Sequence, residues 1–348
     1  MAFRLVPVAA DRVEALKTKQ AGSGTMTSVE RLNVVPPAGR GFRRLFSPRV
    51  GVLIAFVVLV AAAQWASHGA FMQTRNLLNI LAQNSVTGTL AIAQCIVVIS
   101  GGIDLSLGSI TALSSIVILS LQDQGPLIAR LGGLGIGLAC GAINGGLVVV
   151  GRVPPFIATL GMMQAALGLT YVISNGYPIY ENDHMALVFG LDRVGPVPLI
   201  IALWLLVAVI GWILLRFTRF GAYVYAIGGN ERTAVASGVN VAAVKLFIYV
   251  LAGLCAAVAG IISIDRLGCS QPTIGASLTL DSITPVVLGG TSLLGGVGGV
   301  WPTIGGVIVA GVLNNLLVLL GASIYSGQIV QGVIILLFVF FFIRVRRH

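Results

Sequence analysis

Charge is what this 348-residue sequence has least of: Asp, Glu, Lys and Arg together make up 9% of it, against 57% hydrophobic residues. With a mean hydropathy of +0.99, that scarcity leaves no room for a soluble domain and describes a polytopic membrane protein. Lysine is rarer still. Lys17, Lys19 and Lys245 are the only three, and none follows the G-x-x-x-x-G spacing that cradles phosphates, so the chain is expected to bind no nucleotide of its own. The three histidines, His68, His184 and His348, lie far apart, and neither H-E-x-x-H nor G-x-S-x-G occurs, which argues against an enzyme. Cys95, Cys140, Cys255 and Cys269 show no metal-ligand spacing. The first three sit in apolar runs and are read as packing residues. Cys269 falls in a predicted outward loop without a second outward cysteine and is read as an unpaired thiol. Carboxylates and histidines are nearly absent from the apolar segments, so the relays that proton- or sodium-coupled carriers need are missing.

What is present is a series of apolar runs, each close to the ~20 residues that cross a bilayer. They predict spans at Val50–Trp65, Leu77–Ile99, Leu105–Leu121, Leu127–Val150, Phe156–Ser174, Val197–Leu215, Leu246–Ile264, Ile283–Val297, Thr303–Leu320 and Ile329–Ile343. The net charge of +10 could suggest nucleic acid, but its placement follows the positive-inside rule instead. With the N-terminus inside, seventeen Lys and Arg residues fall on inward segments, and only Arg75, Arg130, Arg193 and Arg266 fall outside. The expected fold class is therefore an all-α polytopic membrane protein of about ten transmembrane helices with both termini cytoplasmic. Its expected parts are a basic cytoplasmic extension at 1–49, a transmembrane domain at 50–343 with a cytoplasmic loop at 216–245, and a basic tail at 344–348. Residues 1–49 hold no run long enough for a signal peptide, and Met26 is an alternative native start.

The 216–245 loop is the longest polar interruption, carrying Arg216, Arg219, Arg232 and Lys245. Gly228-Gly229-Asn230 is a turn signal, and Glu231–Ser237 is a helix-compatible run closed by Gly238. A short amphipathic helix across the membrane face is expected there, against the plainer alternative of a solvated connector. Outward, residues 176–196 and 265–281 carry five of the 11 acidic side chains and read individually as a solvated rim. Gly133, Gly137, Gly141 and Gly145 recur every four positions, a stripe that lets two helices approach closely. Gly101-Gly102 interrupts the chain between the second and third spans, and Gly289-Gly290, Gly295-Gly296 and Gly298-Gly299 interrupt the eighth. Because five is odd, two five-span halves would be inverted, and interruptions in both would flank a central pathway.

Asp104 is the one acidic residue near a span end inside the apolar bundle, where a charge is expensive unless it has a partner or a function. With Ser106 it can cap the helix expected to start at Leu105. Other polar groups suited to a neutral pathway are Asn84, Gln94, Asn144, Gln164, Thr291, Asn314, Asn315, Gln328 and Gln331. Each could instead be glue between helices, worth about 0.6 kcal/mol.

Three ordered stretches carry a resemblance. Asn230–Asn240 with Val241–Lys245 closely resembles the coupling loop of ribose-type ABC sugar permeases, in the branched-chain amino acid/sugar permease superfamily. Gly101–Ser109 is similar to that family's glycine-glycine-isoleucine-aspartate-leucine-serine signature, and Val287–Ser292 with Asn314-Asn315 looks like its C-terminal pattern. The resemblance implies an importer subunit for a monosaccharide or related polyol in the bacterial inner membrane. It implies a separate ABC ATPase that holds ATP and Mg, a periplasmic or extracellular sugar-binding protein, and a second permease subunit, identical or not. Gly228, Gly229, Asn230, Glu231, Arg232, Thr233, Ala234, Gly238 and Asn240 would meet the ATPase; Asn84, Gln94, Asp104, Ser106, Thr291, Asn314 and Asn315 are the candidate pathway residues. Val297 and Pro285 depart from the family pattern and bear on substrate identity or gating. An ion-coupled carrier and an amino-acid permease of the same superfamily stay open as alternatives.

Overall fold

The computed structural model describes residues 48–182, 193–195, 197–321 and, beyond these, 329, 332 and 333. Contacts divide the chain into a short unit, 1–52, and a larger one, 53–348. Its α-helices with described bounds are α1 (Pro48–Ala66, which begins in the first unit), α2 (Thr74–Ile99), α3 (Leu107–Ser120), α4 (Pro126–Val149), α5 (Pro155–Ser174), α6 (Leu199–Phe217), α7 (Arg219–Gly229), α8 (Glu231–Ala236), α9 (Val241–Leu267), α10 (Ile274–Leu288) and α11 (Val300–Leu319). Helices α2, α4, α5, α6, α9 and α11 are long and apolar enough to cross a membrane, and α3, α10 and Phe56–Ala66 are shorter apolar helices. All but 329, 332 and 333 of the last expected span, both terminal segments with Met26 and His348, most of the outer loop with His184, and Gln328 and Gln331 lie outside the described residues.

Helix ends follow local chemistry. Pro126 and Pro155 open α4 and α5, where a missing N–H costs nothing. Asn175 (φ 52°) and Gly268 (φ 65°) end α5 and α9 in the left-handed conformation that stops a helix. The expected eighth span is the exception. It was expected at Ile283–Val297, yet α10 runs from Ile274 to Leu288 and the chain then stays non-helical to Gly299. Gly290, Gly295 and Gly296 hold φ of 78°, 86° and 74°, so an apolar window there reads as a span although its backbone cannot continue a helix.

Helix α2 is the centre of the bundle. Every residue from Gly88 to Ile99 is buried, the polar Thr89 and Gln94 included. Helices α4 and α9 make the closest pairing. A Cβ on Gly137 would overlap the Gly253 carbonyl, one on Gly141 the Tyr249 carbonyl, and one on Gly145 would sit 2.7 Å from Leu246 Cδ1. The glycine stripe therefore serves packing, as its spacing predicts. All four cysteines are free; Cys95, Cys140 and Cys255 are buried.

At the far end of α9, β1 (Ile179–Tyr180) pairs antiparallel with β4 (Cys269–Ser270); β2 (Arg193–Val194) and β3 (Val197–Pro198) form a second pair before α6. Beside the first pair, Arg130 of α4 meets Asp265 of α9 at 3.0 Å, their side chains 10% and 2% exposed. This corrects the reading of Asp265 as a solvated rim residue: its charge and that of Arg130 are hidden because each has the other.

Candidate functional site

The segment from α7 to α9 is organised by its own side chains. Thr218 Oγ1 accepts from Gly221 N–H at 3.3 Å to start α7, Asn230 Oδ1 accepts from Thr233 N–H at 3.0 Å to start α8, and Asn240 Oδ1 accepts from Ala243 N–H at 3.1 Å to start α9. Each is an N-cap that satisfies a donor the helix cannot. Helix α8 ends equally locally: Gly238, at φ 81°, donates to Val235 O at 3.0 Å, and Val239 donates to Ala234 O at 3.1 Å. That pair of bonds is the Schellman arrangement, which needs a left-handed residue at the glycine. Lys245 Nζ donates to Glu231 Oε2 at 2.8 Å and ties α8 to the first turn of α9.

Of α8, only Ala234 is buried; Asn230, Glu231, Arg232, Thr233, Val235, Ala236, Ser237, Gly238 and Asn240 are exposed. Val235 is 57% exposed on a helix one and a half turns long. The short helix expected here is present, and its exposure is equally that of the plainer alternative, a solvated connector. A cavity of about 430 Å³ lies beside α8, lined by Arg152, Pro154, Pro155, Glu231, Ala242 and Lys245 among others.

The candidate pathway residues separate into unlike groups. At the start of α2, Asn76 and Asn315 exchange two bonds, at 3.0 and 2.9 Å. Asn84 bonds to the Ile80 carbonyl at 2.7 Å and fills the space that Gly311 leaves. Asn314 faces outward, exposed, and so does Gln164; the Asn-Asn pair thus divides between glue and surface. Thr291 is buried with Oγ1 3.8 Å from Cys95 Sγ.

Asp104 accepts from the N–H and hydroxyl of Ser106 at 2.8 and 2.6 Å, and Asn144 donates to Ser106 Oγ at 2.8 Å. The helix begins at Leu107, two residues later than expected, so Asp104 closes a turn ahead of it rather than capping its first N–H groups. Thr159 donates to Ile103 O at 3.3 Å and Thr279 to Leu105 O at 3.1 Å, so α4, α5 and α10 all hold this non-helical stretch. Gln94 differs from all of these. It is fully buried, and among the described residues neither its amide nitrogen nor its oxygen has a partner. A buried amide left unpaired costs about 1–3 kcal/mol per group.

Sequence reasoning missed Asn76, Thr159 and Thr279, whose partners are distant in the chain. It also missed Tyr225, whose hydroxyl donates to Gly298 O at 2.9 Å; no local pattern marks any of them. Among the described residues, no group of three or more His, Cys, Asp and Glu could hold a metal.

Comparison with known proteins fits this geometry. Residues 76–339 match the family described as branched-chain amino acid transport system / permease component. The ribose import permease protein of Escherichia coli strain K12 is 43% identical over 291 residues, covering 82% of this chain and 90% of that protein. Its counterpart in Bacillus subtilis strain 168 is 42% identical over 301 residues, covering 85% and 92%. The D-allose transport system permease protein of Escherichia coli strain K12 is 36% identical over 301 residues, covering 84% and 90%. These relatives are transport components rather than enzymes, and the apolar helices make this chain a multi-pass protein of the inner membrane. The chain belongs to this family of transport-system permease components, and within it to the ribose-type permeases.

Proposed function

We propose that the chain is the membrane-spanning subunit of a binding-protein-dependent ABC importer for a monosaccharide of the ribose or xylose kind, or a related polyol. The observation that carries this reading is α8: a short helix capped at both ends by its own residues, exposed on nearly every side, on a chain 43% identical to a ribose import permease. A helix whose ends are capped by its own residues and whose surface is mostly exposed can offer that surface to another subunit. Gly228, Gly229, Asn230, Glu231, Arg232, Thr233, Ala234, Gly238 and Asn240 would form the contact region for a separate ATPase, which binds the ATP and Mg. No cofactor is proposed for this chain. The proposed partners are that ATPase, a sugar-binding protein on the outer face, a second permease subunit and the surrounding lipid. Nucleic acid is not among them.

Ten spans with both ends cytoplasmic remain our topology, with an N-terminal extension at 1–49, a transmembrane domain at 50–343 and a tail at 344–348. An inverted arrangement of two five-span halves is proposed on the odd count alone. The non-helical breaks follow the second and the eighth span, positions that are not equivalent in such halves, and lend it no support. Asp104 and Ser106 belong to a held turn, so of Asn84, Gln94, Asp104, Ser106, Thr291, Asn314 and Asn315 we assign Gln94 the leading role in the pathway. A hydroxylated sugar would supply the partners its amide lacks.

The test is uptake of D-ribose into liposomes. With the ATPase, its binding protein and internal ATP, uptake should be concentrative; the chain alone should move no sugar under any ion gradient. Glu231→Lys, which sets two ammonium groups against each other, should abolish sugar-stimulated ATP hydrolysis. Concentrative uptake by the chain alone would overturn the reading.

A further inference from the structure

The last turn of α7 and the two non-helical breaks meet backbone against backbone. Gly296 N–H donates to the Ile99 carbonyl at 2.9 Å. Gly228 lies against that bond: a Cβ there would overlap the Ile99 oxygen and sit 2.6 Å from the Gly296 nitrogen. A Cβ on Gly295 would be 2.8 Å from the Gly228 oxygen and 3.1 Å from the Gly101 backbone, and one on Gly296 would be 3.1 Å from Gly229 Cα. One turn earlier on α7, Tyr225 binds the Gly298 carbonyl. Three glycine pairs far apart in the chain, Gly101-Gly102, Gly228-Gly229 and Gly295-Gly296, thus bring the ends of α2, α7 and the α10–α11 connection together.

We propose that this crossing is the joint that carries movement of α8 into both breaks at once, with Tyr225, Gly228 and Gly296 as its positioning residues. The inference rests on α8 being the ATPase-facing helix. Only Gly229 and Asn230 separate Gly228 from Glu231, the first residue of α8. Contacts between bare backbones have no side-chain rotamers with which to absorb a displacement, so a shift of α8 is handed on rather than dissipated. On its other side α8 is followed by Gly238 in the left-handed conformation, a position where the chain can pivot. A cavity of about 360 Å³, lined by Trp212, Arg216, Tyr225, Gly298 and Trp301 among others, flanks the crossing and leaves α7 room to move.

The experiment compares hydrogen exchange in the full permease–ATPase complex with and without ADP and vanadate. In the parent, protection should change at 231–238 and, together with it, at 99–102 and 289–298. In Gly296→Ala, which crowds the joint, and in Tyr225→Phe, which removes one hydroxyl and no volume, the response at 231–238 should persist while that of the two breaks falls at least two-fold. Gly305→Ala, at a site with nothing within 4 Å, should behave as the parent. A lesion that merely loosened the fold would raise exchange everywhere, with or without nucleotide. An unchanged response of the breaks in both variants, or no response of the breaks in the parent, would overturn the proposal. The readout needs no sugar: failure of D-ribose uptake beside an intact exchange response would sink the substrate reading and leave the joint standing.

Discussion

At its first turn α9 carries Lys245, paired at 2.8 Å with Glu231 of α8; at its last turn it carries Asp265, paired at 3.0 Å with Arg130 of α4. The two pairs look alike by distance and differ by environment. The side chains of Lys245 and Glu231 are 20% and 53% exposed, those of Arg130 and Asp265 10% and 2%. An exposed pair is worth about 0.2–1 kcal/mol because water competes for both charges. A buried pair is a different object: removing one partner strands the other in a medium that does not solvate it, at a cost of about 3–5 kcal/mol. The contrast extends to the surroundings. Around Lys245 the caps are local and the surface is open; around Asp265 a strand pair and a buried ion pair join segments far apart in sequence. One end of α9 lies open, and the other is sealed by the chain itself.

The sharpest way to break that contrast is Arg130→Ala. It should lower stability by about 3–5 kcal/mol, read as a large fall in melting temperature of the purified protein in detergent. Arg130→Met combined with Asp265→Leu should recover most of the loss, since no unpaired charge remains. If the single variant melts like the parent, the buried pair is not what seals this end. Gly238→Ala comes next. A Cβ at φ 81° should cost on the order of 1 kcal/mol, and the loss should appear as faster hydrogen exchange confined to 231–240. Lys245→Ala should be milder, at most about 1 kcal/mol, and should shrink further in high salt as screening removes what the pair contributed. A salt-independent loss would mean that the pair is less exposed than it stands here.

The smallest effect concerns Glu181, in the outer loop. Burial raises its pKa first, Asp265 nearby raises it further, and Arg130 lowers it in part. A carboxyl whose folded pKa is raised favours folding in its protonated form, so its contribution is present at low pH and is lost as pH climbs through the raised value. From about pH 4 to about pH 7 the parent should therefore lose slightly more melting temperature than Glu181→Gln does. Identical pH profiles would remove Glu181 from the sealed end.

Much of this was legible one residue at a time. The glycine stripe on α4, the helix-compatible run at 231–237 and the stop at Gly238 are instructions to neighbouring backbone, and the structure obeys them. The eighth span was legible only in part: its glycine pairs marked an interruption, but hydropathy measures composition and placed the span at 283–297, where the left-handed glycines after Leu288 keep the chain from being a helix. The sorting of the polar residues was not legible. Asn314 and Asn315 are adjacent and chemically identical, and only the rotation of α11 against α2 exposes one and buries the other.

The sequence by itself determined that this chain lives in a membrane, where its apolar runs fall and that a short capped helix interrupts them, since transfer free energy and helix capping depend on composition and on residues three or four apart. Tertiary structure alone decided that Asp265 would find Arg130, that Gln94 would be left without a partner, and that three glycine pairs would cross at the Ile99 carbonyl. Those outcomes depend on which distant surfaces close-pack, and no local pattern encodes that choice.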